Sequence, residues 1–405
     1  MITSNLNLEN YFSSIIKKDK FYYNLLKKFN KIFFNLKNEL SNKKNLINVL
    51  DSKFSLNFKF LELQKYKKYK KIAIIGMGGS ILGIEAIHTF LEKKIKKKIY
   101  FFDDINGNKT IAFKRKEKLS EVLFIIISKS GNTIETISNA LSLKIFKKRA
   151  KNIIVISDKK NSDLYNLAKK LELKYIEHKK NIGGRYSVLS EVGVVPAFLM
   201  GLNIFKLRSN LKDFFRGSSK LFLKDSSISL SSVLKNKKFK NIIFINYYPE
   251  LENFLFWLQQ LVAESLGKKN NGFLPMISNV PKDHHSLLQL YLDGPKDKLF
   301  YIFSNENKTQ KKINLEKSKF VNKALNNKSL GQIKDAQKKA LVKAFKKKKI
   351  PFRLFEIKKN DEQVLGKLFS YFILETILIG KLISINPFDQ PGVEQIKTLT
   401  KKFLS

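Results

Sequence analysis

The chain has 405 residues, with 78 Lys and Arg against 34 Asp and Glu, a formal net charge of +44, four His, one Trp and no Cys. The lack of Cys excludes a disulfide framework, an iron–sulfur cluster, a zinc–thiolate centre and a cysteine nucleophile, and 43% apolar residues exclude wholesale disorder. The charge invites a nucleic-acid reading, but the lysines are spread in short runs at 67–71, 93–98 and 346–349. Lys, Asn, Ile and Phe also share A/T-rich codons, so solvated surface charge raised by coding bias is the plainer account.

In chain order, the N-terminal MITSNLNLENYFSS has neither a basic region nor a long apolar one, so no signal peptide is read there. The apolar stretch Leu368 to Ile385 is interrupted by Glu375 and Lys381 and reads as a buried helix, not a membrane span. A cytoplasmic protein with no membrane partner is expected. Residues 1–50 read as a helical, amphipathic segment. Short β-branched or aromatic runs then alternate with helix-like stretches: Ile72–Ile75, Ile99–Phe102, Val122–Ile127 and Ile153–Ile156, with helices expected over 81–96 and 133–148. A second cycle runs through Ile242–Ile245, Leu299–Phe303 and Phe352–Ile357. The alternation predicts an α/β fold with mainly parallel sheets. The expected division is 1–50, then α/β units at 51–205 and 206–375, then a C-terminal loop and helix at 376–405.

The first strand runs into Gly76-Met77-Gly78-Gly79-Ser80, where glycines and a helix N-terminus allow close approach to an anion. The spacing is neither the dinucleotide fingerprint nor a Walker loop, and a tight turn without ligand is the alternative. The third strand ends in Ser128-Lys129-Ser130-Gly131-Asn132-Thr133. A set of N-caps would explain one hydroxyl there; five polar residues in six, beside the first turn, point to a metal-free cradle for a monoester phosphate. Gly183-Gly184-Arg185 offers a guanidinium that could clamp an oxyanion, unless Arg185 is a plain surface cation.

On the predicted helix Phe254–Leu266, Gln260 and Glu264 share a face, and a carboxylate on a mostly apolar helix is a candidate general base. The alternative is a Glu264–Lys268 surface pair. Of His284 and His285, an acid–base role outranks a metal site, and a plain surface histidine stands beside both. Pro391 suits a first helical position, and Lys397, seven residues after Gln390, falls on nearly the same face, so the two could hold sugar hydroxyls or simply decorate a capped surface helix.

In order, GMGGSILG, SKSGNTIET, GGRYSVLSEVG, QQLVAESLGK, HHSLLQ and NPFDQPGVEQIK resemble the successive motifs of the phosphoglucose isomerase family, over about residues 70–400. The resemblance implies two sugar-isomerase (SIS) domains, each a parallel sheet between helices, in a homodimer that works on a phosphosugar without cofactor or metal. Carried over, it places Ser80, Ser128, Lys129, Ser130 and Thr133 around the substrate phosphate and makes Gly79 a substrate-binding position. It makes Glu264 the base that moves a proton between C1 and C2, and Arg185 the cation on the enediolate. Gly184 would lie at the reacting end, and Gln260 and Gln390 would orient the substrate. Counting back from Gln289, His285 rather than His284 matches the ring-opening histidine, shared across the dimer interface, with Lys397 as its partner. Asn132 departs from the pattern, which often has Thr there. Three rivals are a dual isomerase that also takes mannose 6-phosphate, a phosphosugar sensor that does no chemistry, and a nucleic-acid-binding protein, for which no motif speaks.

Overall fold

The computed structural model describes residues 5–306, 311–314 and 323–404. Ten strands lie within them: Leu6–Asn10 (β1), Lys71–Ile75 (β2), Lys98–Phe102 (β3), Val122–Ser128 (β4), Ile153–Ser157 (β5), Lys174–Glu177 (β6), Asn241–Asn246 (β7), Leu274–Asn279 (β8), Lys298–Asn305 (β9) and Phe352–Ile357 (β10). Every residue of β4 and β5 is buried, the mark of strands covered by helices on both faces.

The first sheet has the order β3-β2-β4-β5-β6 and is parallel throughout. The chain leaves β2 toward one edge and β4 toward the other, so the crevice beyond their carboxyl ends is a topological switch point. The second sheet, β1-β10-β9-β7-β8, repeats this winding, with β7 and β9 side by side at its own switch point. Its edge is closed by β1, which pairs antiparallel with β10. The N-terminal segment, expected to be helical, thus contains a strand of the second sheet. It continues into the long helix Lys20–Glu39, capped by Asp19, which packs on helices Gly217–Lys235 and Glu362–Leu382.

Helix Glu362–Leu382 is long and apolar enough to cross a membrane by length and composition, yet 89% of its most apolar 18-residue window is buried inside the fold. It is a core helix, tied to β10 by the buried pair Arg353–Glu375 at 2.9 Å. The two halves meet where helix Leu82–Leu91, after β2, packs on helix Glu252–Leu266, after β7. That contact carries the second half's carboxylate to the mouth of the first sheet.

Candidate active site

After β2, the turn Gly78–Ser80 is pressed so closely on its neighbours that Gly79 has no room for a side chain. A Cβ on Gly79 would lie 2.3 Å from the Gly184 carbonyl carbon and 2.4 Å from the Arg185 nitrogen. Gly78 has φ +53°, and a Cβ there would be 2.9 Å from Gln260 Nε2. Ser80 is buried at the end of this turn.

After β4, the hydroxyls bind one another instead of capping the next helix. Ser128 Oγ is 2.8 Å and Ser130 Oγ 3.3 Å from Thr133 Oγ1, while the amides of Gly131 and Asn132 donate to Ser128 Oγ and Ser130 Oγ at 3.1 and 3.2 Å. Thr133 occupies the N-cap of helix Ile134–Ser142 without a side-chain capping bond, so the N-cap alternative does not describe this turn. The first-turn amides of that helix keep their attraction for an anion. Lys129 stands between the hydroxyls, half-buried, with no hydrogen bond or ion pair from its ammonium among the described residues. Burial, Lys160 and Arg185 push its pKa down against the pull of Asp158. Asn132 faces elsewhere: its Oδ1 accepts from the Asp163 amide at 2.9 Å.

Arg185 is no surface cation, being only 3% exposed. Its Nε donates to Ser265 Oγ (2.7 Å), its Nη1 to Glu264 Oε2 (3.1 Å) and Gln390 Oε1 (2.7 Å), and its Nη2 to the Pro387 and Asp389 carbonyls (2.6 and 3.1 Å). Trp257 Nε1 donates to the Arg185 carbonyl at 3.1 Å, so the backbone beneath the guanidinium is fixed as well. The second oxygen of Glu264 accepts from Gln260 Nε2 at 2.8 Å. Glu264 therefore pairs with Arg185, and the alternative Glu264–Lys268 pair is not formed. Gln260 Oε1 is buried with no partner among the described residues.

A part-exposed carboxylate on a buried guanidinium, beside an uncapped helix end and a ring of hydroxyls, suits proton transfer on a phosphorylated substrate. The phosphoglucose isomerase family model matches residues 60–405. The chain belongs to this family. A glucose-6-phosphate isomerase from Campylobacter jejuni is 33% identical over 377 residues, covering 88% of this chain and 91% of the relative. A probable glucose-6-phosphate isomerase from Methanococcus maripaludis is 32% identical over 371 residues, covering 86% and 82%. Among solved structures, a hypothetical protein from Thermus thermophilus superposes with a TM-score of 0.83 at 24% identity, over 99% of this chain and all of that one. A glucose-6-phosphate isomerase from Chlamydia trachomatis gives 0.73 at 16%, over 100% and 89%, and both establish the same fold.

Within that fold, Gly79, Gly184, Arg185, Gln260, Glu264 and Gln390 meet at one place, beside the turn of Ser128, Lys129, Ser130 and Thr133. His285 and Lys397 do not join them. His284 Nε2 lies 3.0 Å from Tyr247 OH, and burial and His285 lower its pKa, whereas His285 is exposed. Lys397 is exposed and paired with Glu394 at 2.7 Å. Gln390 precedes the terminal helix Glu394–Leu404, in non-helical backbone at φ −155° and ψ 63°, so it and Lys397 do not share a helix face as expected from their spacing. Among the described residues no group of three or more His, Asp and Glu could hold a metal.

Sequence reasoning missed Ser265, Tyr186 and the Pro387 and Asp389 carbonyls, all of which hold Arg185 or its partners. Carbonyls leave no signature in a sequence; Ser265, beside Glu264 on a mostly apolar helix, was the one available sign. It also missed His178, buried with Nδ1 donating to the Lys179 carbonyl at 3.0 Å. Burial and the charge of Lys129 bring His178 down to about 4, leaving a neutral imidazole behind the cradle.

Proposed function

We propose that the chain interconverts glucose 6-phosphate and fructose 6-phosphate by ring opening followed by a cis-enediol proton transfer. The contact of Glu264 with the buried guanidinium of Arg185, 3.1 Å apart, carries this reading. Ser80, Ser128, Lys129, Ser130, Thr133 and the first amides of helix Ile134–Ser142 hold the phosphate, with the Gly79 backbone close beside it. Binding energy gained there restrains an open chain whose reacting carbons lie farther in.

In the aldose-to-ketose direction, the Glu264 carboxylate takes the C2 proton. The C–H electrons form the C1–C2 double bond, and negative charge gathers on O1, where Arg185 stabilises it. The O2 proton passes to O1, Glu264 returns its proton to C1, and C2 becomes the ketone. The substrate's own two carbons exchange oxidation level, so no external oxidant or reductant enters. Gln260 Oε1, without a partner among the described residues, accepts from a substrate hydroxyl; Gln390 and the Gly184 backbone complete the reacting end.

Ring opening is assigned to His285 and Lys397, with the histidine supplied by a second copy. The exposure of His285 and its separation from the site of its own chain support a homodimer, as do the exposed apolar residues Ile396, Leu399 and Phe403 of the terminal helix. We place this activity in the cytoplasm, without metal, cofactor or specific nucleic acid. A coupled assay of fructose 6-phosphate conversion tests the reading: folded protein without turnover overturns it. Mannose 6-phosphate in the same assay decides whether a second sugar is accepted.

A further inference from the structure

Lys268 follows the helix that carries Glu264, beyond Gly267, and its side chain is only 12% exposed. An ammonium has three protons to donate, and all three go to one short segment. They reach the Asn386 carbonyl, the Asp389 carbonyl at 2.7 Å and Asp389 Oδ1 at 2.7 Å. The segment is closed on itself by Asn386 Nδ2 donating to Asp389 Oδ2 at 2.9 Å and the Phe388 amide donating to Asn386 Oδ1 at 3.0 Å. From the other side come Arg185, at the Pro387 and Asp389 carbonyls, and Tyr186 OH, at Pro387. The Asp389 carbonyl thus joins a cation inside the site to one outside it. Lys268 also holds the Asp389 carboxyl below the usual carboxylate range.

Beyond this turn every described residue from 391 to 404 is exposed. Gln390 comes next and meets Arg185, and helix Glu394–Leu404 buries none of its residues.

We propose that Lys268 is a positioning residue: it latches the 386–390 turn so that Gln390 stays on Arg185 and the terminal helix leaves the site in one direction. It touches no substrate and acts through the turn. The kinetic consequence rests on the proposed isomerase reading; the latch itself does not. A lysine suits the role because its compact ammonium points three donors in tetrahedral directions, whereas an arginine's donors are confined to one plane.

The experiment compares full-length wild type, Lys268→Met and Asp389→Asn by amide hydrogen exchange and by turnover of fructose 6-phosphate. In Lys268→Met, exchange over 390–404 rises about tenfold or more while residues 60–266 keep their protection. Turnover number falls about tenfold with less than about a threefold change in KM, because the phosphate cradle is untouched. Inhibition by inorganic phosphate is unchanged. Asp389→Asn leaves both carbonyl acceptors in place, so its effects are in the same direction and about two- to threefold, and it serves if Lys268→Met does not fold. Wild-type exchange over 390–404 in both variants overturns the proposal, as does raised exchange spread evenly over the whole chain, which marks a residue of general stability. Inactive wild type would defeat the isomerase reading and leave the exchange result to decide the latch.

Discussion

At the ends of β2 and β4 the site is shaped by backbone pressed on backbone: Gly79 against Gly184 and Arg185, with hydroxyls bound to hydroxyls around Thr133. The segment from Asn386 onward meets the fold through one turn, held by two cations and a tyrosine, and then runs into an exposed helix. In the proposed mechanism, phosphate binding and proton transfer stand on the first kind of structure. In that mechanism, ring opening depends on the second kind and on His285, which does not meet the other site residues of its own chain. Groups that must hold geometry closely are set on packed elements; those on exposed elements need another surface to complete them.

The sharpest way to break this contrast is Glu264→Gln. It keeps the shape and the bond from Gln260 while removing the base, so the turnover number should drop about 10²- to 10⁴-fold with phosphosugar binding retained. Steady-state kinetics together with competition by inorganic phosphate separate the two; equal loss of both would show that cradle and base are not independent. His285→Gln should cost about 10²-fold, at the low end for acid–base catalysis, and His284→Gln much less, since His284 is occupied by Tyr247. If the histidine is shared, mixing Glu264→Gln with His285→Gln subunits regenerates one intact site per mixed dimer. Activity that stays at the level of the separate variants would put His285 back in its own chain's site.

Gly79→Ala tests the packed side. Its methyl would stand 2.3 Å from the Gly184 carbonyl carbon, more than an ångström inside ordinary contact. A shift of that size in the backbone under Arg185 should cost up to about 10²-fold in kcat/KM, and a variant with wild-type kinetics would mean that the turn can yield.

The same contrast decided what could be read from sequence. Buried parallel strands announce themselves: the expected Val122–Ile127 and Ile153–Ile156 are found as Val122–Ser128 and Ile153–Ser157. The strands not foreseen, β1, β6 and β8, are all at sheet edges. An edge strand is covered less and can mix polar residues, or a proline such as Pro275, into its run, so an apolar stretch need not mark it; the fourth edge strand, β3, was foreseen because Ile99–Phe102 is apolar throughout. In the site, the glycine and hydroxyl turns were legible because they need particular side chains. The 386–390 turn works through carbonyl oxygens that any residue carries, and Lys268 could not be told from a surface lysine in a chain so rich in them.

The smallest effect is expected at Asn132, inside the hydroxyl-rich turn yet outside its chemistry. Its Oδ1 accepts from the first amide of helix Asp163–Lys170, whose own N-cap, Ser162, makes no side-chain capping bond. Asn132 caps that helix from a neighbouring loop, which explains how a residue other than Thr can stand here while the cradle stays whole. Asn132→Ala should therefore remove about 1 kcal/mol of stability, the usual worth of a cap, and leave KM for fructose 6-phosphate unchanged. Denaturant titration reads the first and initial-rate kinetics the second. A rise in KM without loss of stability would move Asn132 into the phosphate site and make the packed side less rigid than its glycines imply.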